Sequence, residues 1–320
     1  MKSSWITLFL ALSLAIRSGY AAVETALVYV GTESGSVGFY TFRFIQGQDP
    51  VLIDSRQTGY ETPSVPTGFS IAGNGDLLVT DRPTSSFVRY DSDRYHPNFI
   101  ERVTDRISSG RADDIIAFGN RAYVLNGGLL SMFEYQAGSM AFVENFTIQT
   151  GLSSLTISPS GQLYATHTRR DELYIYDFMP DGSPKLDRSI LYHNIDGPSS
   201  VDFNPITGTI YIAATGSNAI FALPKGQDTV RFSGIQSPTE ISFLPWGDLL
   251  VNHKHASVAD QLTILDPLTG KRKTITVPGG RQITSIFVVY DNAQIPEPSS
   301  ILLPFFAALF IIISRHIKQH

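Results

Sequence analysis

The sequence predicts an all-β protein built from a repeated four-stranded unit, and three observations predict it. First, five stretches share a strand–turn–strand pattern: PTGFSIAGNGDLLVTD from Pro66, ADDIIAFGNRAYVLN from Ala112, LSSLTISPSGQLYATH from Leu152, PSSVDFNPITGTIYIAA from Pro198 and PTEISFLPWGDLLVNH from Pro238. Second, the turn glycines Gly75, Gly119, Gly161, Gly208 and Gly247 recur 44, 42, 47 and 39 residues apart, the repeat length of a four-stranded blade. Third, an aromatic- or aliphatic-rich strand follows each pair (FVRYD, MFEY, LYIYD, AIFAL, LTILD), and a less regular fourth comes next, such as FIERV or KTITV. This is the pattern of a β-propeller.

Within each unit the first strand alternates apolar and polar residues, as a strand with one buried face does. Phe69/Ile71, Leu155/Ile157, Val201/Phe203 and Ile241/Phe243 fall on that face. Glycine then supplies the positive φ that the turn needs. Asp91, Asp177 and Asp266 recur after the third strands, where aspartate forms turns. The ends complete the count. Residues 26–53 supply a second, third and fourth strand without a first, and ITSIFVV at 283–289 supplies a first with nothing after it. Pairing them closes the ring and removes two exposed edges. First strands then begin near residues 66, 112, 152, 198, 238 and 283, which predicts a six-bladed β-propeller; seven blades is the runner-up, should a long loop hide one.

Composition narrows the partners. The formal charge is −5 with no basic cluster interleaved with aromatics, which argues against nucleic acid. There are no cysteines, so thiol catalysis and cysteine-based zinc sites are excluded. No Gly-x-Ser-x-Gly elbow, phosphate loop, HExxH or EF-hand pattern occurs, and those reaction classes lose support.

Both ends carry addressing features. Residues 1–21 have Lys2, an apolar run from Trp5 to Ile16, and Gly19 and Ala21 three and one before a cut, the layout of a signal peptide cleaved after Ala21. The other end reads Pro296-Glu297-Pro298, two serines, a thirteen-residue apolar block at 301–313 interrupted by Pro304, then Arg315, His316 and Lys318. Thirteen residues are short for a permanent span, which needs about 20, and the basic flank favours the cytoplasmic side. The tail, residues 293–320, resembles the PEP-CTERM sorting signal of bacterial exported proteins. That resemblance implies a transient membrane helix over 301–313, processing by an exosortase-type protease, and delivery to the envelope or extracellular matrix. Its final segment is less arginine-rich than the family pattern. The predicted organisation is therefore a signal peptide (1–21), a propeller (22–292) and a sorting signal (293–320).

The blade pattern resembles NHL-type and SMP-30-like propellers, a resemblance that implies the fold and leaves activity open, since such folds host unrelated functions. Candidate site residues follow from position in the repeat. Asp81, Asn126, His167 and His253 end second strands, with Asp81, His167 and His253 on alternate blades. Asp114 and Glu240 begin innermost strands at the same mouth. Two imidazoles with a carboxylate form a ligand set for zinc or a non-haem metal, and metal-bound water is a nucleophile near neutral pH; the alternative is that these are solvated mouth residues on loops, some hydrogen-bonding neighbouring blades. No catalytic residue is assigned. Two functions stay open: an exported binding or structural protein whose ligand is a glycan, a small molecule or an envelope protein, and a metal-dependent hydrolase, lactonase or lyase.

Overall fold

The computed structural model describes residues 25–33, 36–104, 107, 111–254, 260–278 and 282–290; the expected signal peptide and sorting tail lie outside them. The chain forms six four-stranded antiparallel sheets arranged as a ring. Blade one contains β4 (Phe69–Ile71), β5 (Leu77–Asp81), β6 (Ser86–Tyr90) and β7 (Phe99–Val103). Blade two contains β8 (Asp114–Phe118), β9 (Arg121–Asn126), β10 (Leu129–Gln136) and β11 (Ser139–Thr147). Blade three contains β12 (Ser154–Ile157), β13 (Leu163–His167), β14 (Glu172–Phe178) and β15 (Pro184–Leu191). Blade four contains β16 (Pro198–Phe203), β17 (Ile210–Ala214), β18 (Ala219–Leu223) and β19 (Val230–Ser233). Blade five contains β20 (Pro238–Phe243), β21 (Leu249–His253), β22 (Gln261–Leu265) and β23 (Arg272–Thr276).

Blade six joins the two ends of the described chain. Its innermost strand is β24 (Ile283–Tyr290), followed by β1 (Thr25–Thr32), β2 (Val37–Ile45) and β3 (Val51–Gln57). β24 and β1 pair antiparallel, with Val288 opposite Val28 and Ile286 opposite Val30. The six-bladed, end-closed prediction therefore holds.

Period-two alternation decides how the blades pack. On β1, Val28 and Val30 turn toward blade five, while Leu27 and Tyr29 turn toward blade one. The same division recurs around the ring, so each of six hydrophobic clusters fills one gap between adjacent blades. Aromatic pairs wedge these gaps: Tyr29 stacks on Phe69, while Phe87–Phe133, Tyr164–Phe203 and Tyr211–Phe243 meet edge to face. That geometry favours the ring quadrupoles beyond simple burial, and it accounts for a sequence rich in Phe and Tyr. Second strands such as β5, β13 and β21 are buried along their whole length, whereas outermost β15 and β19 are largely exposed. Charged residues such as Lys185, Asp187 and Arg188 therefore sit on an outer edge, where they discourage pairing with another chain.

Hydroxyls sew the blades together where the chain enters each first strand. Thr67 donates to the Ala112 carbonyl of blade two, Thr168 to Pro198 of blade four, Ser199 to Pro238 of blade five, and Thr284 to Pro66 across the closure. Between blades five and six the Asn252 amide does this, donating to the Ile283 carbonyl. The recurrent entry proline is thus part of the stitch: its carbonyl accepts at Pro66, Pro198 and Pro238, and the residue after it donates at Thr67 and Ser199.

Closure and core predict the effect of one truncation. Ile286 is 3 % exposed at the seam, so Ile286→Ala removes buried methyl groups and should cost about 2–5 kcal/mol in urea unfolding. Ile206→Ala, at a turn residue 67 % exposed, should stay within about 0.5 kcal/mol. Equal losses for the two would contradict the packing described.

Candidate functional site

The innermost strand of each blade has its partner on one side only, so alternate N–H groups face the central channel. An unpaired buried amide is costly, and the neighbouring blade supplies the acceptor. Ser70 Oγ accepts from Ala117 N (2.8 Å), Asp114 Oδ2 from Leu155 N (2.7 Å), Asp202 Oδ2 from Phe243 N (2.9 Å) and Glu240 Oε2 from Ile286 N (2.8 Å). Each acceptor serves the residue that follows its own equivalent in the next blade. Remaining oxygens are also engaged: Asp114 Oδ1 accepts from Ile115 N, Asp202 Oδ1 from Phe203 N, and Glu240 Oε1 from the Ser285 hydroxyl. Gly68 occupies the position equivalent to Asp114 because a Cβ there would lie 2.3 Å from Asp114 Oδ1.

Asp114 and Glu240 thus enter the channel as expected, together with Asp202, which sequence reasoning passed over. Asp202 lies two residues beyond Ser200, on the same strand face, in a second ring of channel positions. These carboxyls surround a cavity of about 80 Å³. Burial pushes Asp114 up to about 7 and Asp202 up to about 6, against the backbone amides that favour their charged forms. Burial also drives Glu240 well above the usual carboxylate range, and the charge on Asp114 adds to that. Three acids in one narrow channel resist simultaneous ionisation.

The residues that end second strands do not converge. Adjacent strands are about 4.8 Å apart, so these positions stand one strand further from the axis than Asp114 or Glu240. Asp81 turns instead to its own blade: it accepts from Ser64 N and Oγ, Val65 N and Thr84 Oγ1, and pairs with Arg102 Nη1 at 2.7 Å. Burial opposes its charge, but Arg102, Thr84 and the Val65 amide outweigh it and hold the pKa below the usual value. His253 Nδ1 lies 2.9 Å from the Gln236 carbonyl and Nε2 2.8 Å from Thr263 Oγ1. A carbonyl only accepts, so Nδ1 carries the proton and Nε2 accepts from the threonine. Burial lowers the pKa of this imidazole. His167 sits beneath Gly151 and beside the Tyr174 ring; its buried Nδ1 has no hydrogen-bond partner among the described residues. Asn126 is buried at the end of β9, opposite Leu129.

Among the described residues no three His, Asp or Glu side chains are placed to hold a metal ion. The expected centre of Asp81, His167 and His253 is therefore corrected. These residues do not fit a metal, because Asp81 is committed to Arg102 and the Nε2 lone pair of His253 to Thr263. The solvated-mouth alternative is corrected as well, since all three are at most 6 % exposed.

No family model and no curated protein sequence matches this chain. Solved structures do. A putative 6-phosphogluconolactonase from Bacteroides fragilis superposes with a TM-score of 0.60 at 14 % identity, covering 84 % of this chain and 99 % of that one. A periplasmic gluconolactonase of Pseudomonas aeruginosa gives 0.58 at 15 %, covering 83 % and 99 %. A chain of a nidogen/laminin complex gives 0.62 at 14 %, covering 82 % and 98 %. In fold, the body is a six-bladed β-propeller like these. At these identities the likeness extends to the fold alone.

The channel carboxyls set a pH dependence. The folded protein keeps protons on Asp114 and Asp202 that the unfolded chain, titrating near 3.8, has already released. Stability should therefore fall as pH rises from about 4 to about 7, and the raised Glu240 adds to the fall. The depressed Asp81 acts oppositely below about pH 4, and the lowered His253 acts oppositely up to about pH 6.5, where the unfolded imidazole releases its proton. Urea midpoints should be higher at pH 5 than at pH 8, and Asp114→Asn should flatten the slope. A midpoint that climbs across that interval contradicts the assignment.

The buried Asp81–Arg102 pair gives a second expectation. Arg102→Met strands a carboxylate that is 2 % exposed, at a cost of about 3–5 kcal/mol. Adding Asp81→Asn should recover part of that loss, as read in a double-mutant cycle of urea unfolding.

Proposed function

We propose that this chain is an exported propeller that works by binding rather than catalysis, carried to the envelope or matrix by its PEP-CTERM-like tail. One observation carries the non-catalytic reading: the acids that could act as bases or nucleophiles are already acceptors for backbone amides of the next blade. Using one of them in a reaction exposes an edge-strand amide at each turnover. The address features support export, and the absence of cysteines suits a body held together by interblade packing alone. The expected partners are an exosortase-type protease at the tail and a glycan, small molecule or envelope protein at the propeller.

Lactone hydrolysis is the second reading. It is favoured by the fold shared with proteins described as gluconolactonases and by a raised Glu240 within the channel, since perturbed acids cluster at functional sites.

Two measurements separate the readings. Intact-mass analysis of the protein recovered from its native host should give a chain that begins at Ala22 and ends near Pro296–Pro298. An unprocessed chain ending at His320 in the cytoplasm overturns the export reading. Purified protein should open gluconolactone no faster than buffer; hydrolysis that disappears in Glu240→Gln hands the function to the second reading.

A further inference from the structure

At the channel mouth opposite Asp81, His167 and His253, the first strands hand over to the second and the ring opens into a cavity of about 490 Å³. That volume lies within the range of small-molecule sites, roughly 300–1,000 Å³. Its walls are apolar: Ile71 from blade one, Phe243 from blade five, and Phe287 and Tyr290 from the closing strand. Asp202 lies where this space meets the narrower channel.

One cation lines the cavity. Arg94 belongs to the loop between β6 and β7, and the fold fixes it from both sides. The buried Tyr29 hydroxyl donates to the Arg94 carbonyl (2.7 Å), and Arg94 Nη1 donates to the Tyr290 carbonyl (2.8 Å). The loop is further braced by Asp91, which accepts from Asp93 N and Asn98 N, and by Asp93, which accepts from Tyr95 N and His96 N. Among the described residues Arg94 makes no ion pair. A guanidinium has five donors, and among the described residues one of them, on Nη1, has a partner.

We propose that this mouth is the ligand site of the propeller, and that it takes a small amphipathic anion: an aromatic or short aliphatic carboxylate or sulfonate with its acid on Arg94 and its apolar body against Phe243 and Phe287. The inference rests on the binding reading and gives it a place and a ligand class. Arg94, without an ion pair among the described residues, selects an anion, and Asp202, where the cavity meets the channel, opposes it less as pH falls toward 6. The apolar walls favour a molecule with one polar end; a sugar carries hydroxyls around its whole rim, and those facing Ile71 and Phe287 would lack partners. Because Arg94 is already held in place, little side-chain entropy is lost when it engages the acid.

The test uses the full-length chain with two fluorescent probes, anionic anilinonaphthalene sulfonate and the neutral phenylnaphthylamine. Apolar terminal segments can take up either dye, so the result is the difference between variants. Arg94→Gln should weaken the anionic dye by about tenfold or more, the loss expected for one charge-assisted hydrogen bond, and change the neutral dye by less than about twofold. Arg94→Lys should keep most of the anionic affinity. Ser242→Phe, which fills the cavity, should abolish the saturable phase for both dyes. Circular dichroism checks that each variant folds, and if Arg94→Gln does not, the lysine and phenylalanine variants decide. Anionic binding that survives both Arg94→Gln and Ser242→Phe overturns the site. That result leaves the export reading standing, because processing of the tail is measured separately, and a chain that stays unprocessed leaves the dye result unaffected.

Discussion

A propeller hides one edge of every sheet inside itself, and satisfying that edge governs the rest of this structure. The innermost strand must approach the axis closely enough for six sheets to close, yet its channel-facing amides then lack both a strand partner and free access to solvent. Side chains of the preceding blade provide the acceptors. Where that side chain is Ser70 a hydroxyl suffices; where it is Asp114, Asp202 or Glu240 a carboxyl is drawn into the channel. The acids are then desolvated beside one another, which raises their pKa values. Structural need and unusual electrostatics have a single origin here, so a perturbed carboxyl in this channel is weak evidence for catalysis.

Closure of the ring imposes a second constraint. The pairing of β24 with β1 joins residues some 260 positions apart, without a disulfide to hold them. Its stability comes from two sources that act at different radii: the apolar seam of Val28, Val30, Ile286 and Val288, and the Thr284–Pro66 stitch to blade one. Such non-local contacts form only after much of the chain has been ordered, which places this topology among the slow folders. For a chain expected to fold after export, the charged outer strands are then a safeguard while the ring is still open.

The blades were legible in the sequence because they depend on backbone periodicity. A glycine every 39 to 47 residues and alternation on either side of it report turns and strand faces directly. Even the closing blade followed, since a strand set lacking its first member can be completed by an orphan strand at the other end. The candidate site was only partly legible, for a geometric reason. Equivalence in a repeat gives residues a common radius and height without telling whether that radius brings their side chains to the axis. Asp114 and Glu240, on innermost strands, reach the channel; one strand further out, Asp81 and His253 find hydrogen-bond partners beside them and His167 lies against the Tyr174 ring. Asp202 could have been found by extending the alternation two residues past Ser200. Arg94 could not, because the loops joining third to fourth strands vary in length among the blades, so no repeat position corresponds to it.

The two mouths of the ring differ in consequence. At the entry mouth the stitches run from hydroxyl or amide to carbonyl between neighbouring blades, and Asp81 is enclosed by Ser64, Thr84 and Arg102, so polar groups there are mostly spent on one another. At the opposite mouth the closing strand presents Phe287 and Tyr290 to a larger space, and the loop carrying Arg94 is tied to both β1 and β24. The seam that closes the ring therefore also positions the guanidinium. A loosened seam would shift the Tyr290 carbonyl and release Arg94 Nη1, coupling the integrity of the ring to the shape of that mouth. Because the termini of the described chain meet in this same blade, Ala26 opposite Tyr290, any load on the terminal segments is transmitted first to the strand pair on which the arginine depends.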